Sequence, residues 1–175
     1  WSISWDAMHA AQVLTLMQAG YMKTGAPDAL GYMMNLGFQN GVPVYMVQGM
    51  FCGTREAGLQ AIAPLLAIPS AQLLVDKTGT YPEMNIWLED HPYTLPDNLP
   101  DGVAETKASG YISTPLSPAD WQRIIDYFKT SPNPWSLAYL EPYGGAINRY
   151  PIEASAFIHR RVDADLVVDV FWRNP

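Results

Sequence analysis

Apolar and polar positions alternate with period two in some stretches and recur at helical spacing in others. Trp1-Ser2-Ile3-Ser4-Trp5 alternates large and small, as a half-buried strand does. Asp6 then caps a predicted helix whose apolar positions Met8, Val13, Leu14 and Met17 share one side, with Gly20 as its stop. Residues 30–39 and 42–51 are extended runs separated by Asn40-Gly41, a pair that accepts positive φ at both positions and so predicts a two-residue hairpin. Thr54 caps a second helix through residue 66, with Leu59, Ile62, Leu65 and Leu66 on one side and Pro64 kinking the last turn. A strand over 72–77 follows, then a short helix to residue 88 opened by Thr80-Tyr81-Pro82-Glu83, a proline-rich loop over 91–103, and a strand over 107–114. Ser117-Pro118-Ala119-Asp120 opens a third helix carrying Trp121, Ile124, Ile125 and Phe128, and strands over 135–141 and 164–172 complete the pattern.

Strands outnumber helices about two to one and do not alternate with them one for one, so the pattern predicts an α+β fold over residues 1–175. Its antiparallel sheet carries the helices on one face and leaves the other open. The last strand is the most informative. Ala164, Leu166, Val168, Val170 and Trp172 point one way, as a helix-covered face requires, and Asp163, Asp165, Val167, Asp169 and Phe171 point the other. An acidic set therefore faces solvent or a cavity.

Composition sharpens this. The 175 residues are 49% hydrophobic and only 15% charged, against roughly 25% in ordinary soluble domains, with 10 Tyr, 6 Trp, 8 Met and 15 Pro. Such a chain is either unusually well buried or has a face meant to be covered, whether by another domain or by a second copy in a dimer. The net charge of -7 and a single adjacent basic pair, Arg160-Arg161, argue against nucleic acid as a partner, because nothing could neutralise a run of phosphates. Apolar stretches fall far short of the ~20 residues of a membrane-spanning helix, and no leader pattern opens the chain. One cysteine allows no internal disulfide, and Cys52 reads as a small buried hydrophobe. His9, His91 and His159 lack metal-ligand spacing, and alternate strand positions splay Asp163, Asp165 and Asp169 too far apart to close a cage alone. No phosphate-cradling glycine loop occurs, and Gly144-Gly145 is by itself a tight turn. Starting in one predicted strand and ending just after another, the chain reads as a piece of something longer.

Three segments carry a resemblance. Tyr143-Gly144-Gly145-Ala146-Ile147-Asn148-Arg149, then Ala156-Phe157-Ile158-His159-Arg160, then the strand ending in Phe171-Trp172, resemble the substrate domain of FAD-linked oxidoreductases of the berberine bridge enzyme type. There a Gly-Gly turn precedes an Ala-x-Ala-Phe-Pro-His-Arg segment, and Ile158 stands where proline is usual. Trp1 to Trp5, Phe51-Cys52-Gly53, Pro64-Leu65-Leu66 and Lys107-Ala108-Ser109-Gly110-Tyr111 before Pro115-Leu116-Ser117 agree as well, so the similarity runs over most of the chain.

The resemblance implies the central part of a two-domain enzyme that oxidises an alcohol, sugar or secondary metabolite by hydride transfer to FAD. A FAD-binding domain of the same protein would hold the cofactor, and this domain alone would be inactive. Counting back from Trp172, Asp165 falls where several members carry a carboxylate or other polar residue that assists proton removal, as a base or by orienting one. Asp169 shares its face, and Tyr111 and Tyr139 are expected cavity-wall residues for the substrate. Gly144, Gly145, His159 and Arg160 are expected near the cofactor, at the seam between domains. The glutamine often found two residues after the carboxylate is Val167 here. A different class stays open beside this one: a non-enzymatic module that binds a small ligand on an aromatic-lined sheet face.

Overall fold

Asn40 and Gly41 take φ of 52° and 76°, the left-handed pair that a two-residue hairpin needs. They join β2 (Leu30–Gln39) to β3 (Val42–Phe51) with every residue in register, from Leu30 opposite Phe51 to Gln39 opposite Val42. In this computed structural model, which describes residues 1–22, 25–90, 101–131 and 133–173, the hairpin lies inside a seven-stranded sheet. The other strands are β1 (Ser2–Asp6), β4 (Gln72–Val75), β5 (Val103–Ile112), β6 (Leu137–Pro142) and β7 (Ala164–Arg173). Their order is β4-β1-β3-β2-β6-β7-β5, antiparallel at every junction.

Paired residues in an antiparallel ladder share a face. One face carries Ile3, Trp5, Tyr45, Val47, Met34, Leu36, Ala138, Leu140, Leu166 and Val168. Three helices meet it: α1 (Ala10–Met17) with Val13, Leu14 and Met17, α2 (Arg55–Leu66) with Ile62 and Leu65, and α4 (Pro118–Phe128) with Trp121, Ile125 and Phe128. Each large side chain taken out of water there contributes about 1.5–3 kcal/mol. The α+β architecture with helices against one sheet face is as the pattern predicts. Helix starts follow their capping residues: Thr54 Oγ1 accepts from Ala57 N at 3.2 Å, and Ser117 and Asp120 form a reciprocal capping box at 3.2 and 3.0 Å.

Four local expectations are corrected. Asp6 makes no side-chain cap; residues 7–9 form a lone 3-10 turn that leaves Met8 exposed, and α1 starts only at Ala10. Gly20 does not stop the helix, which continues as a wider π-type turn, Gln18–Met22. The buried Gln18 side chain holds that turn, donating to Thr114 O at 3.0 Å and Asp163 Oδ2 at 2.8 Å and accepting from Leu116 N at 2.9 Å. Asp163 thereby leaves the acidic set, because its carboxylate turns to the helix layer. Cys52 is exposed where the hairpin ends. Strand limits also shift, with β5 starting at Val103 and β6 at Leu137, and α3 spans Tyr81–Asp90. His91 and most of the predicted 91–103 loop lie outside the described residues. Among the described residues no helix is long and apolar enough to cross a membrane.

Candidate functional site

β7 lies between β6 and β5, and their registers assemble three rows on the face away from the core: Glu141, Asp165 and Tyr111; Asn35, Tyr139, Val167 and Ser109; Leu137, Asp169 and Lys107. The expected open face is not uniformly exposed. Asp165, Asn35 and Asp169 are only 8%, 4% and 3% exposed, whereas Lys107, Ser109 and Tyr111 on the outer strand are exposed. The two aspartates stand four strand steps apart, about 13 Å, so they cannot share one proton or one ion. Among the described residues no three His, Cys, Asp or Glu side chains gather as a metal site.

Several polar atoms on this face have no partner among the described residues. One carboxylate oxygen of Asp165, one of Asp169, and both the Nδ2 and Oδ1 of Asn35 are buried without a hydrogen bond there. The second oxygen of Asp169 lies 3.3 Å from Lys107 Nζ, which also holds Glu105 at 3.1 Å. Each buried polar atom left unpaired costs about 1–3 kcal/mol; core side chains such as Trp5, Tyr45 and Trp121 also carry one, but these four lie on the face away from the helices, where a polar group from outside can reach them.

The tyrosines are neutral donors at physiological pH. Burial, followed by the Asp169 charge, raises the Tyr139 hydroxyl above its ordinary value. Burial, followed by the neighbouring Tyr111 hydroxyl, pushes Tyr143 up to about 12. Both raised hydroxyls stay protonated near neutrality.

An aromatic rim borders the Asp165 row. Tyr111 stacks on His159 with ring centroids 4.0 Å apart and lies 5.6 Å from Tyr143, and Phe157 stands 5.5 Å from His159 and 5.9 Å from Tyr143. His159 therefore joins the wall of the Asp165 face. Arg160 folds back into its own loop, donating to Ser155 Oγ at 2.8 Å and Ile147 O at 3.3 Å with its guanidinium over the Tyr150 and Phe157 rings. Gly145, at φ 63°, needs glycine for that conformation. With Gly144 it lines a cleft of about 710 Å³ beyond the β2–β6 ladder, bordered by Glu141 and lying beside Tyr32, Asn148 and the Asp28–Arg149 ion pair.

The structure thus brings Asp165, Asp169, Tyr111, Tyr139 and His159 onto one face and its rim, and sets Gly144, Gly145 and Arg160 apart. Sequence reasoning missed Asn35, Lys107, Glu141 and Tyr143. A signal for Asn35 existed, since it is the one amide in the apolar run Tyr32-Met33-Met34-Asn35-Leu36 and opposite in parity to the core residues Met34 and Leu36.

No family model and no curated protein sequence matches the chain. Solved structures do. BBE-like 28 from Arabidopsis thaliana is 15% identical and superposes with a TM-score of 0.77 over 98% of this chain. BBE-like 1 from Physcomitrella patens is 20% identical, with a TM-score of 0.78 over 99%. A berberine bridge enzyme variant described as a reticuline dehydrogenase is 12% identical, with a TM-score of 0.74 over 99%. This chain spans 37%, 38% and 36% of those chains, and it has the fold of that part of them.

Proposed function

We propose that this chain is the substrate-binding domain of a FAD-dependent oxidoreductase that oxidises an alcohol, sugar or secondary metabolite on the Asp165 face. The observation that carries the reading is the buried, unpartnered carboxylate oxygen of Asp165, on the face opposite the core and at the position where the family resemblance expects a polar residue. The shared fold supports it, as one neighbour is a reticuline dehydrogenase.

The residues fit contact with the ring end of a flavin and not with its phosphates. The face offers aromatic, amide and carboxylate groups, while Lys107, Arg149 and Arg160 are engaged with carboxylates or their own loop. Asn35, Tyr139 and His159 are the side chains to meet the ring or the substrate above it, and the Gly144-Gly145 turn offers backbone to a neighbouring domain. Cations for the pyrophosphate fall to a FAD-binding domain of the same protein. When bound, FAD supplies the two-electron acceptor that takes hydride from the substrate.

In this reading Asp165 accepts the proton released from the substrate O–H or N–H as the adjacent carbon is oxidised. Neutral Tyr139 donates a hydrogen bond to a substrate oxygen, Tyr143 stays in the wall with its hydroxyl bonded to Tyr111, and Asn35 offers one donor and one acceptor to orient the substrate. Burial strengthens each of these contacts by keeping water from the carboxylate. Arg160 is a positioning residue for the loop that carries His159. The isolated chain, without a hydride acceptor, has no turnover.

The test is Asp165→Asn in the full-length flavoprotein. Flavin reduction slows by about 10²–10⁴-fold with substrate affinity changed far less. An unchanged reduction rate, or a full-length protein that binds no flavin, overturns the reading.

A further inference from the structure

We infer that β5 is a self-pairing edge through which two copies of this chain join their sheets into one. β5 pairs with β7 over all ten of its residues without a bulge, and it is the last strand of the sheet. Among the described residues no backbone hydrogen bond outside the strand ladders reaches residues 103–111, and residues 105–111 are exposed. Such an edge presents a row of free N–H and C=O groups that template another strand. Edges meant to stay single are short, bulged, interrupted by proline or guarded by charged side chains, lysine above all. β4, the opposite edge, is short at four residues, whereas β5 is long, unbulged and free of proline. Its only charged guards are Glu105 and Lys107, and the lysine is neutralised by Glu105 and Asp169.

Charge selects the partner and the register. A two-fold antiparallel pairing that keeps the two sheets continuous must place residues of equal parity opposite each other. Centring it on Thr106 sets Glu105 against Lys107 of the second copy and Lys107 against its Glu105, two opposite-charge pairs and no like pair. Sliding by one step centres the pairing on Glu105 or on Lys107 and puts a charge against its own copy, which is destabilising. The Thr106-centred register pairs residues 103–109 of each copy, about 24 Å of strand. Of the remaining positions, Val103, Ala104, Thr106, Ala108 and Ser109, three are Ala or Ser and all are small enough for close approach. This surface is the edge of the sheet; its charged residues, Glu105 and Lys107, share the face of Asp165 and Asp169, and the inference does not depend on the proposed activity.

Sedimentation equilibrium of the 175-residue chain through the micromolar range tests it. The wild type rises from monomer toward twice that mass with concentration. Glu105→Lys and Lys107→Glu each weaken self-association by about tenfold or more, because each creates like-charge pairs across the two-fold. Mixing the two variants restores association, since the mixed dimer has opposite charges at both positions. Hydrogen exchange on the wild type supplies a second readout independent of any variant: the alternate amides of residues 103–109 that point away from β7 gain protection as concentration rises. A wild type that stays monomeric, a dimer indifferent to both reversals, or a mixture no tighter than either variant alone overturns the proposal.

Discussion

Asp165→Asn on the isolated chain separates a site carboxylate from a structural one. Asp165 is 8% exposed and has an oxygen without a partner. Its cross-strand neighbour on β6 is Glu141, so two carboxylates face each other in register. Asparagine keeps the shape, removes the like-charge repulsion of roughly 0.2–1 kcal/mol, and turns one acceptor into a donor aimed at Glu141. Relief of the unpaired charged atom adds about 1–3 kcal/mol. For a chain of this size each kcal/mol moves Tm by about 2–4 °C, so the variant should melt roughly 2–16 °C higher by near-ultraviolet circular dichroism. Asp163→Asn is the control with the opposite sign. Asp163 Oδ2 accepts from Gln18 Nε2 at 2.8 Å, and an amide nitrogen in its place would confront that donor, lowering Tm by a similar amount. A fall in Tm for Asp165→Asn would show a satisfied, structural carboxylate. That result refutes the argument that this position gives up stability for function.

Three further outcomes follow from the packing. Gly49→Ala should cost about 3 kcal/mol or more, because the added Cβ would sit 2.1 Å from Gly31 O and 2.9 Å from Tyr32 Cα, both backbone atoms that cannot yield; Gly37→Ala, with nothing within 4 Å, should be neutral or slightly stabilising in urea titration. Ser117→Ala should lower Tm by about 2–4 °C through loss of the α4 cap. The Ser117 hydroxyl, its backbone N–H and Arg123 hold the Asp120 carboxyl below its ordinary value. That contribution is present above the unfolded-state value near 3.9 and is lost as pH falls through the lowered folded-state value, so Ser117→Ala should also flatten the acid limb of the urea midpoint. Tyr143→Phe should flatten the alkaline limb. With Tyr143 raised to about 12 in the folded chain, the wild type loses stability as pH climbs from about 10 toward that value, and phenylalanine has no proton to lose.

Local chemistry was legible wherever one or two residues decide it. Asn40-Gly41, Thr54 and Ser117 act through their own φ preferences or their own hydroxyls, and each element starts or turns where they stand. The parity of β7 was legible too, because a one-residue slip would have buried Asp165 and Asp169 against the helices. Gln18 shows why the first helix was misread. Its partners, Thr114, Leu116 and Asp163, are about a hundred residues or more away, and they carry the turn past a glycine that local preference would make a stop. Cys52 was misjudged for a related reason, since burial depends on what lies above the hairpin end and not on the residue type.

The sequence alone determined an α+β chain, its hairpin, its helix starts and the side of the last strand on which the carboxylates lie, because periodicity, capping and turn chemistry act over a few residues. Only the tertiary structure decided strand order, and with it everything that depends on neighbours. It set Asn35, Tyr139 and Val167 in one row, placed Glu141 beside Asp165 and Lys107 beside Asp169, turned Asp163 inward, and, among the described residues, left the β5 edge unpaired. Cross-strand partners come from distant segments, and the partners left unmade, at Asp165, Asp169 and Asn35, appear only once every other contact has been placed.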